Sequence, residues 1–377
     1  MMQPVPEALA PESTRGRRLH NFSAGPGALP EEVIEEVRAE LPVYDDVGAS
    51  IMEISHRSPA YDAVHNGAVE RMKRLLGLGD DWHVLFLQGG ASLQFYQAPL
   101  NFLPEGGKAD YLVTGSWSKK ALKEAKIVAA SRGATVNVAA SSEDAQFSYI
   151  PEPGTWQLDP DAAFLHFTSN NTIYGTQFQD EPEVDVPLVC DASSDFLSRP
   201  IAVERYGLIY AGAQKNIGPA GTTAVLVRED FLQRRVEGLP TLLDYRTHVG
   251  TLYHTPAVFA VYIVEKVLKW IEANGGLAGM TARNDRKAET LYGAIDATDF
   301  YTGTARPDSR SKMNVTFRLP SEELEAKFVK EAKEEGLLAL KGYRTVGGIR
   351  ASIYNAVSQA SVDALVDFMR RFEAANG

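Results

Sequence analysis

Residues 187–221 read PLVCDASSDFLSRPIAVERYGLIYAGAQKNIGPAG, and the two apolar runs inside this stretch predict two strands of one sheet. Lys215 stands between the run Leu208 to Ala211 and a Gly/Pro-rich turn, and Asp191 follows the run PLVC. Parallel strands in an open α/β sheet deliver the residues at their ends to the carboxyl edge, where ligands bind. A lysine held there out of water titrates low and becomes an amine nucleophile fit for a carbonyl cofactor. An acid and an amine presented at one edge suggest a pyridoxal phosphate (PLP) site. Taken singly, each has a plainer reading: Lys215 as a surface residue of a loop, Asp191 as a helix cap ahead of ASSD.

Outward from this stretch, residues 82–227 alternate strand-like and helix-like segments, the pattern of a mostly parallel sheet covered by helices. Strands are predicted at VLFLQ (84–88), YLVTG (111–115), TVNVAA (135–140), AFLHFT (163–168), PLVC (187–190), LIYAG (208–212) and TTAVLVR (222–228). Helical spacing follows YLVTG, with Ala121, Leu122, Ala125 and Val128 on one face. A long amphipathic segment runs from Pro256 to Asn274, where Gly-Gly stops it. Beyond it the character becomes α+β: strand-like MNVTFRL and GIRASIYN flank the helical EELEAKFVKEAKEEG, and a last helix covers 362–373. The expected organisation is a disordered extension over 1–18, a large domain over 19–275 and a small one over 276–377.

The chain of 377 residues, 44% of them hydrophobic, is long enough for two domains with a sizeable core. Its net charge of −11, with both signs interspersed, argues against nucleic-acid or anionic-membrane partners. A single cysteine, Cys190, excludes an internal disulfide framework and fits a reducing cytoplasm. No apolar stretch approaches a membrane span, and the first eighteen residues lack the apolar core of a signal peptide. No metal is expected.

GGAS at 89–92 joins a strand to a helix, so the free amides of the helix N-terminus and the Ser92 hydroxyl are suited to a phosphate dianion. By itself the segment is equally a tight connection. Neither GxGxxG after a strand nor GxxxxGK[ST] occurs, which removes the main grounds for a dinucleotide or nucleoside triphosphate site. Trp117 begins a helix after a strand, where an indole either lies on a pyridine ring or packs in the core. Thr172, in SNNTIYG, is placed to donate to a ring oxygen or to bond its own turn. The coincidence decides between these readings: anion cradle, aromatic plate, acid and amine each follow a predicted strand.

NFSAGPGALP (21–30), ISHRS (54–58), LSRPIAVERYGLIYAGAQKNIGPAG (197–221) and KGYRTVGGIRASIYNA (341–356) closely resemble the phosphoserine aminotransferase family, class V enzymes of PLP fold type I. The resemblance runs in order over about residues 20–377. It implies an α/β fold-type I architecture, with a mostly parallel large-domain sheet flanked by helices, a smaller α+β C-terminal domain, and the segment 19–30 packing on that domain. It implies exchange of an amino group between L-glutamate and 3-phosphonooxypyruvate, for serine biosynthesis, with 4-phosphohydroxy-L-threonine of vitamin B6 synthesis as a second substrate. The enzyme is then a cytoplasmic homodimer with shared active sites.

By the same resemblance Lys215 is the residue that tethers PLP and later moves the proton, Asp191 the partner of the pyridine nitrogen, and Trp117 the stacking residue. Thr172 serves the phenolic oxygen, while Gly90, Ala91, Ser92 and Gln214 serve the phosphate, joined by His254 and Thr255 from the other subunit. Here the chain departs from the family, which usually carries Asn at the position of His254. Arg344 is expected to clamp the α-carboxylate, and the partner subunit's His56 and Arg57 to meet the phosphate or the glutamate γ-carboxylate. Without the resemblance, these arginines read as solvated charges. A cysteine desulfurase, the rival within the fold, needs a mobile reactive thiol, which Cys190 in an apolar run is not. A non-catalytic binding protein would lack some of these groups, and a regulator would need a DNA-binding module for which neither terminus has room or charge.

Overall fold

The computed structural model describes residues 18–377, so all but the last residue of the expected N-terminal extension lies outside the described residues. Strands β1 (Trp82–Leu87), β2 (Lys108–Val113), β3 (Thr135–Ser141), β4 (Leu165–Thr168), β5 (Leu188–Asp191), β6 (Tyr206–Gly212) and β7 (Thr223–Arg228) form a seven-stranded sheet in the order β1-β7-β6-β5-β4-β2-β3. Strand β7 is antiparallel to both neighbours and every other pairing is parallel. All strands but β7 therefore open their carboxyl ends on one edge, and the segments that follow them converge there.

The strands are apolar on both faces because helices cover both. Helices α2 (Pro59–Leu76) and α5 (Val258–Ala273) bury Tyr61, Ala68, Met72, Val261 and Val264 against Phe86, Ile209, Ala224 and Leu226. Helices α3 (Gly90–Phe102) and α4 (Ser116–Arg132) bury Phe95, Phe102, Ala121 and Ala125 against Leu85, Tyr210 and Val225 on the opposite face. A shorter α1 (Glu31–Glu40) packs on α5. Helix α2 starts where its sequence directs: the Ser58 hydroxyl accepts the Tyr61 amide, Pro59 takes the first helical position, and Gly77 at φ 67° ends the last turn.

All seven strands are found, with ends within three residues of the expected ones. The strand expected over 111–115 runs instead over 108–113, because the Thr114 and Gly115 amides both donate to the Ser118 hydroxyl at 3.0 Å and so cap α4. Asp191 is the last residue of β5, pairing with Thr168 and Tyr210 across the sheet.

A second core gathers around a three-stranded antiparallel sheet, β8 (Thr302–Gly303), β9 (Asn314–Arg318) and β10 (Ile349–Ser352). It is closed by α6 (Gly276–Asp296), α7 (Glu322–Glu334) and α8 (Gln359–Asn376). Helix α6 belongs to both cores: Leu277 and Met280 pack in the large one, Ala288, Leu291 and Ile295 in the small one. Phe22 lies in the small core, and His20–Asn21 pairs in parallel with Leu337–Leu338. The N-terminal segment thus runs across the small core before entering α1. Among the described residues, no helix is long and apolar enough to cross a membrane.

Candidate active site

The converging carboxyl ends build one cleft. Lys215 extends from the turn after β6, and its Nζ donates to Thr172 Oγ1 at 2.6 Å. The same Nζ stands 5.8 Å from the centroid of the Trp117 ring, in the first turn of α4. Burial of the amine pushes its pKa down to about 8, against the attraction of Asp191 and with the repulsion of Arg350. Asp191 is 4% exposed, and its Oδ1 accepts the Ser193 amide at 3.0 Å. Burial raises its pKa above the ordinary carboxylate value, opposed by that hydrogen bond and by the Lys215 charge. The amine and the acid therefore sense one another across the cleft.

Thr172 is held from both sides. It sits in the turn of a short hairpin after β4, where the Asn171 side chain donates to the Thr114 and Thr176 hydroxyls at 3.2 and 3.1 Å. The Tyr354 hydroxyl, buried near Thr172, accepts from Asn314 Nδ2 at 3.2 Å and donates to Ala24 O at 2.6 Å. The N-terminal segment seals the floor: the Gly27 amide donates to Gln214 O at 2.7 Å. Only glycine fits at 27, since a Cβ there would lie 2.8 Å from Tyr354 Cδ2 and 3.0 Å from the Lys215 carbonyl. This explains the AGPG signature near the start of the chain, whose spatial neighbour the sequence alone does not disclose.

The anion cradle has the expected local geometry. Gly89, at φ 91°, turns the chain out of β1, and the first intrahelical bond of α3 runs from the Leu93 amide to Gly89 O. The amides of Gly90, Ala91 and Ser92 precede that bond and have no intrahelical acceptor. The Gln88 side chain donates to Thr255 O at 3.0 Å, which sets residues 254–255 beside the cradle.

His56, Arg57 and His254 line a different cavity, of about 540 Å³, that does not include Lys215. In it His254 meets His248 edge to face at 5.3 Å, and burial with the proximity of His248 and His56 lowers the His254 pKa. Both ring nitrogens of His254 are buried without a hydrogen-bond partner among the described residues, as is Trp117 Nε1. Within one chain, then, the structure brings together Lys215, Asp191, Thr172, Trp117 and the turn with Gln214, keeps residues 254–255 next to Gln88, and places His56 and Arg57 with His254 in a cavity that Lys215 does not line.

The two arginines of GYRTVGGIR divide sharply. Arg344 is exposed on a loop over 342–348. Arg350, on β10, turns into the cleft, with Nη1 3.5 Å from Thr172 O, its Nε buried without a partner, and its charge felt by Lys215. Burial lowers the Arg350 pKa. Among the described residues no carboxylate answers this guanidinium, the arrangement expected of a group that binds an anionic ligand. The sequence expectation gave the α-carboxylate to Arg344, whereas the cleft holds Arg350. The two positions lie on either side of Gly347 and Gly348, both with positive φ: Arg344 stays on the loop, while Arg350 is carried by β10, paired with Thr316 of β9.

These residues fit PLP by their chemistry. A low-titrating buried amine suits the aldehyde, a buried carboxylate with spare accepting capacity suits the ring nitrogen, and unpaired helix amides suit the phosphate. Cys190 offers no alternative: it is buried in β5, and burial beside Asp195 and Asp191 pushes its thiol well above the ordinary range. Among the described residues, no group of three or more His, Cys, Asp or Glu is arranged to hold a metal ion.

Comparison with known proteins places the chain. The family model described as Aminotransferase class-V matches residues 19–365. A phosphoserine aminotransferase of Desulfatibacillum aliphaticivorans is 57% identical over 364 residues, covering 96% of this chain and 99% of that one. The solved phosphoserine aminotransferase from Bacillus circulans subsp. alkalophilus is 52% identical with a TM-score of 0.92, covering 96% of this chain and 99% of that one. The PLP-bound phosphoserine aminotransferase from Trichomonas vaginalis is 43% identical with a TM-score of 0.90, covering 94% of this chain and 100% of that one. On the full-length match of sequence and fold, the chain belongs to the class V aminotransferases, within the group of phosphoserine aminotransferases.

Proposed function

We propose that this protein is a PLP-dependent transaminase that moves an amino group between L-glutamate and 3-phosphonooxypyruvate, yielding O-phospho-L-serine and 2-oxoglutarate in alternate half-reactions. The observation that carries the reading is the buried, low-titrating Lys215 amine facing Asp191 at the carboxyl edge of the sheet. When bound, PLP supplies an aldehyde that captures amino groups and a cationic ring that takes up the electrons of a bond broken at Cα.

The protein does the rest. Lys215, neutral in part near pH 8, would be the residue that takes the proton from the substrate Cα in one half-reaction and gives it back in the other. Asp191, by its charge, keeps the pyridine nitrogen protonated, and the cationic ring in turn offsets the burial that raises the Asp191 pKa. The Trp117 ring orients the coenzyme plane, and its Nε1, unpartnered in the free chain, is left for a ligand oxygen. Thr172, bonded by Lys215 Nζ at 2.6 Å, would hold a hydroxyl at the phenolic edge. Arg350 clamps the α-carboxylate common to both amino acids through charge-assisted bonds.

The second anionic group of each substrate, phosphate or γ-carboxylate, needs further cations, which Arg344 on its loop and the partner subunit's His56 and Arg57 supply. The separation of His56, Arg57 and His254 from Lys215 within one chain supports a homodimer with composite sites. Serine biosynthesis in the cytoplasm is the setting this reading implies, and 4-phosphohydroxy-L-threonine fits the same charge pattern. The reading is tested by mixing Lys215→Ala and Arg57→Ala subunits. Each variant alone is inactive or nearly so with phosphoserine, and verified heterodimers regain part of the activity because one hybrid site has both native residues. Heterodimers without recovery would contradict the shared site, and normal phosphoserine kinetics of Arg57→Ala alone would remove Arg57 from substrate binding.

A further inference from the structure

Lys287 is fully enclosed in α6, at 0% exposure, and its Nζ donates to two backbone carbonyls, Ile353 O at 2.7 Å and Tyr354 O at 2.6 Å. Lysine is almost never so enclosed unless paired with an acid. Here the charge acting on it is a like one, Arg283 one turn away on the same helix, and burial with that neighbour pulls the Lys287 pKa well below the ordinary value. The chain thus retains an expensive group whose bonds go to the turn that follows β10.

That turn carries much of the cleft. Arg350 lies three residues before Ile353, and the Tyr354 hydroxyl bonds Ala24 O of the N-terminal segment at 2.6 Å. The Asn355 amide donates to Asn216 Oδ1 at 3.0 Å, in the turn next to Lys215, and its side chain donates to Leu197 O at 2.9 Å. One turn before Lys287, Asn284 Nδ2 donates to Asn355 Oδ1 at 2.8 Å and to Ser198 O at 3.2 Å. Because the start of α6 is packed in the large core, its Asn284 and Lys287 tie the 353–355 turn to the body that bears Lys215.

We propose that Lys287 is a positioning residue for substrate binding, whose amine, donating to both carbonyls, holds the 353–354 turn so that the Arg350 guanidinium keeps its place beside Thr172 and the Tyr354 hydroxyl its bond to Ala24 O. The inference rests on the reading of Arg350 as the carboxylate clamp. Lys287→Met keeps the length and apolar stem but leaves both carbonyls without their donor. In the holoenzyme it is expected to raise the glutamate KM about tenfold or more while kcat stays within about threefold and coenzyme affinity is unchanged, the signature of lost binding without lost chemistry. Lys287→Gln, which retains an N–H donor, is expected to lie between Met and the native enzyme.

A merely structural lysine would lower the melting temperature in both variants and leave the glutamate KM within about twofold, and that result overturns the proposal. Should both variants prove insoluble, Asn284→Ala, which releases the neighbouring grip on Asn355, carries the same expectation and the same refutation. Arg350→Lys measured in parallel separates the two ideas. An unchanged KM in Arg350→Lys defeats the clamp itself, whereas a raised KM there with native values in the Lys287 variants defeats only the positioning role.

Discussion

Lys215→Ala protein, purified with excess PLP, shows no measurable turnover and no borohydride-reducible link to the coenzyme. Two losses combine. The amine that captures the aldehyde is gone, and so is the base that exchanges the proton between Cα and C4′; together these are worth at least about a thousandfold in rate. The fold should survive, because the Lys215 Nζ contributes one side-chain bond, to Thr172, while the turn is fastened by backbone bonds from Gly27 to Gln214 and from Ile217 to Ala213. The same residue sets a pH dependence in the native chain. Only the neutral amine is nucleophilic, and burial brings its pKa down to about 8, so the rate at which apoprotein takes up PLP should climb with pH and level off above about 8. An ordinary exposed lysine would keep climbing toward pH 10 and beyond. A reducible link retained in Lys215→Ala would move the tether elsewhere.

Arg350→Ala should weaken L-glutamate and phosphoserine alike, because the α-carboxylate is common to both. Loss of a buried charge-assisted clamp costs about 3 kcal/mol, roughly a hundredfold in kcat/KM. The free enzyme should tolerate the change well: the Arg350 Nε has no partner to lose, and removing a desolvated charge relieves its burial and its repulsion of Lys215. The melting temperature therefore stays level or rises, and the Lys215 amine titrates somewhat higher. Arg344→Ala, on the exposed loop, should show the smaller effect and a bias toward whichever substrate uses its second anion there. Steady-state kinetics of both variants with both amino acids check this, and equal losses from Arg344→Ala and Arg350→Ala would return the α-carboxylate to Arg344.

Much of this architecture was legible because its signals are local. The seven strands announce themselves as apolar runs, and the groups that follow them must gather at one edge once the pairings are parallel, which brings Asp191, Lys215, Thr172 and Trp117 together. One strand end was not legible: the Ser118 hydroxyl takes the Thr114 and Gly115 amides out of the sheet, so the strand stops at Val113, two residues short of the expected end.

What stayed hidden depends on contacts between distant segments. The requirement for Gly27 appears only when Tyr354 and the Lys215 carbonyl are set against it. The choice between Arg344 and Arg350 depends on where β10 begins and pairs with β9, which a Gly-Gly turn leaves open in sequence. The buried network of Asn284, Lys287 and Asn355 is invisible for the same reason: amphipathic spacing marks α6 as a helix, but nothing in it foretells a lysine turned inward to backbone carbonyls. His254 was visible as a departure from the family pattern, yet its meeting with His248 and His56 was not.

The central claim is that one amine and one carboxylate, set at the edge of the sheet, run both halves of an amino transfer between glutamate and a phosphorylated keto acid. The most direct measurement is the visible absorption of the purified, PLP-loaded protein during stepwise addition of L-glutamate and then, after its removal, of 3-phosphonooxypyruvate. The account predicts that glutamate bleaches the band of the lysine-bound coenzyme as the nitrogen is deposited, and that the phosphorylated keto acid restores it stoichiometrically with release of phosphoserine. A band that glutamate leaves untouched, or one that pyruvate restores as readily as 3-phosphonooxypyruvate, would contradict it.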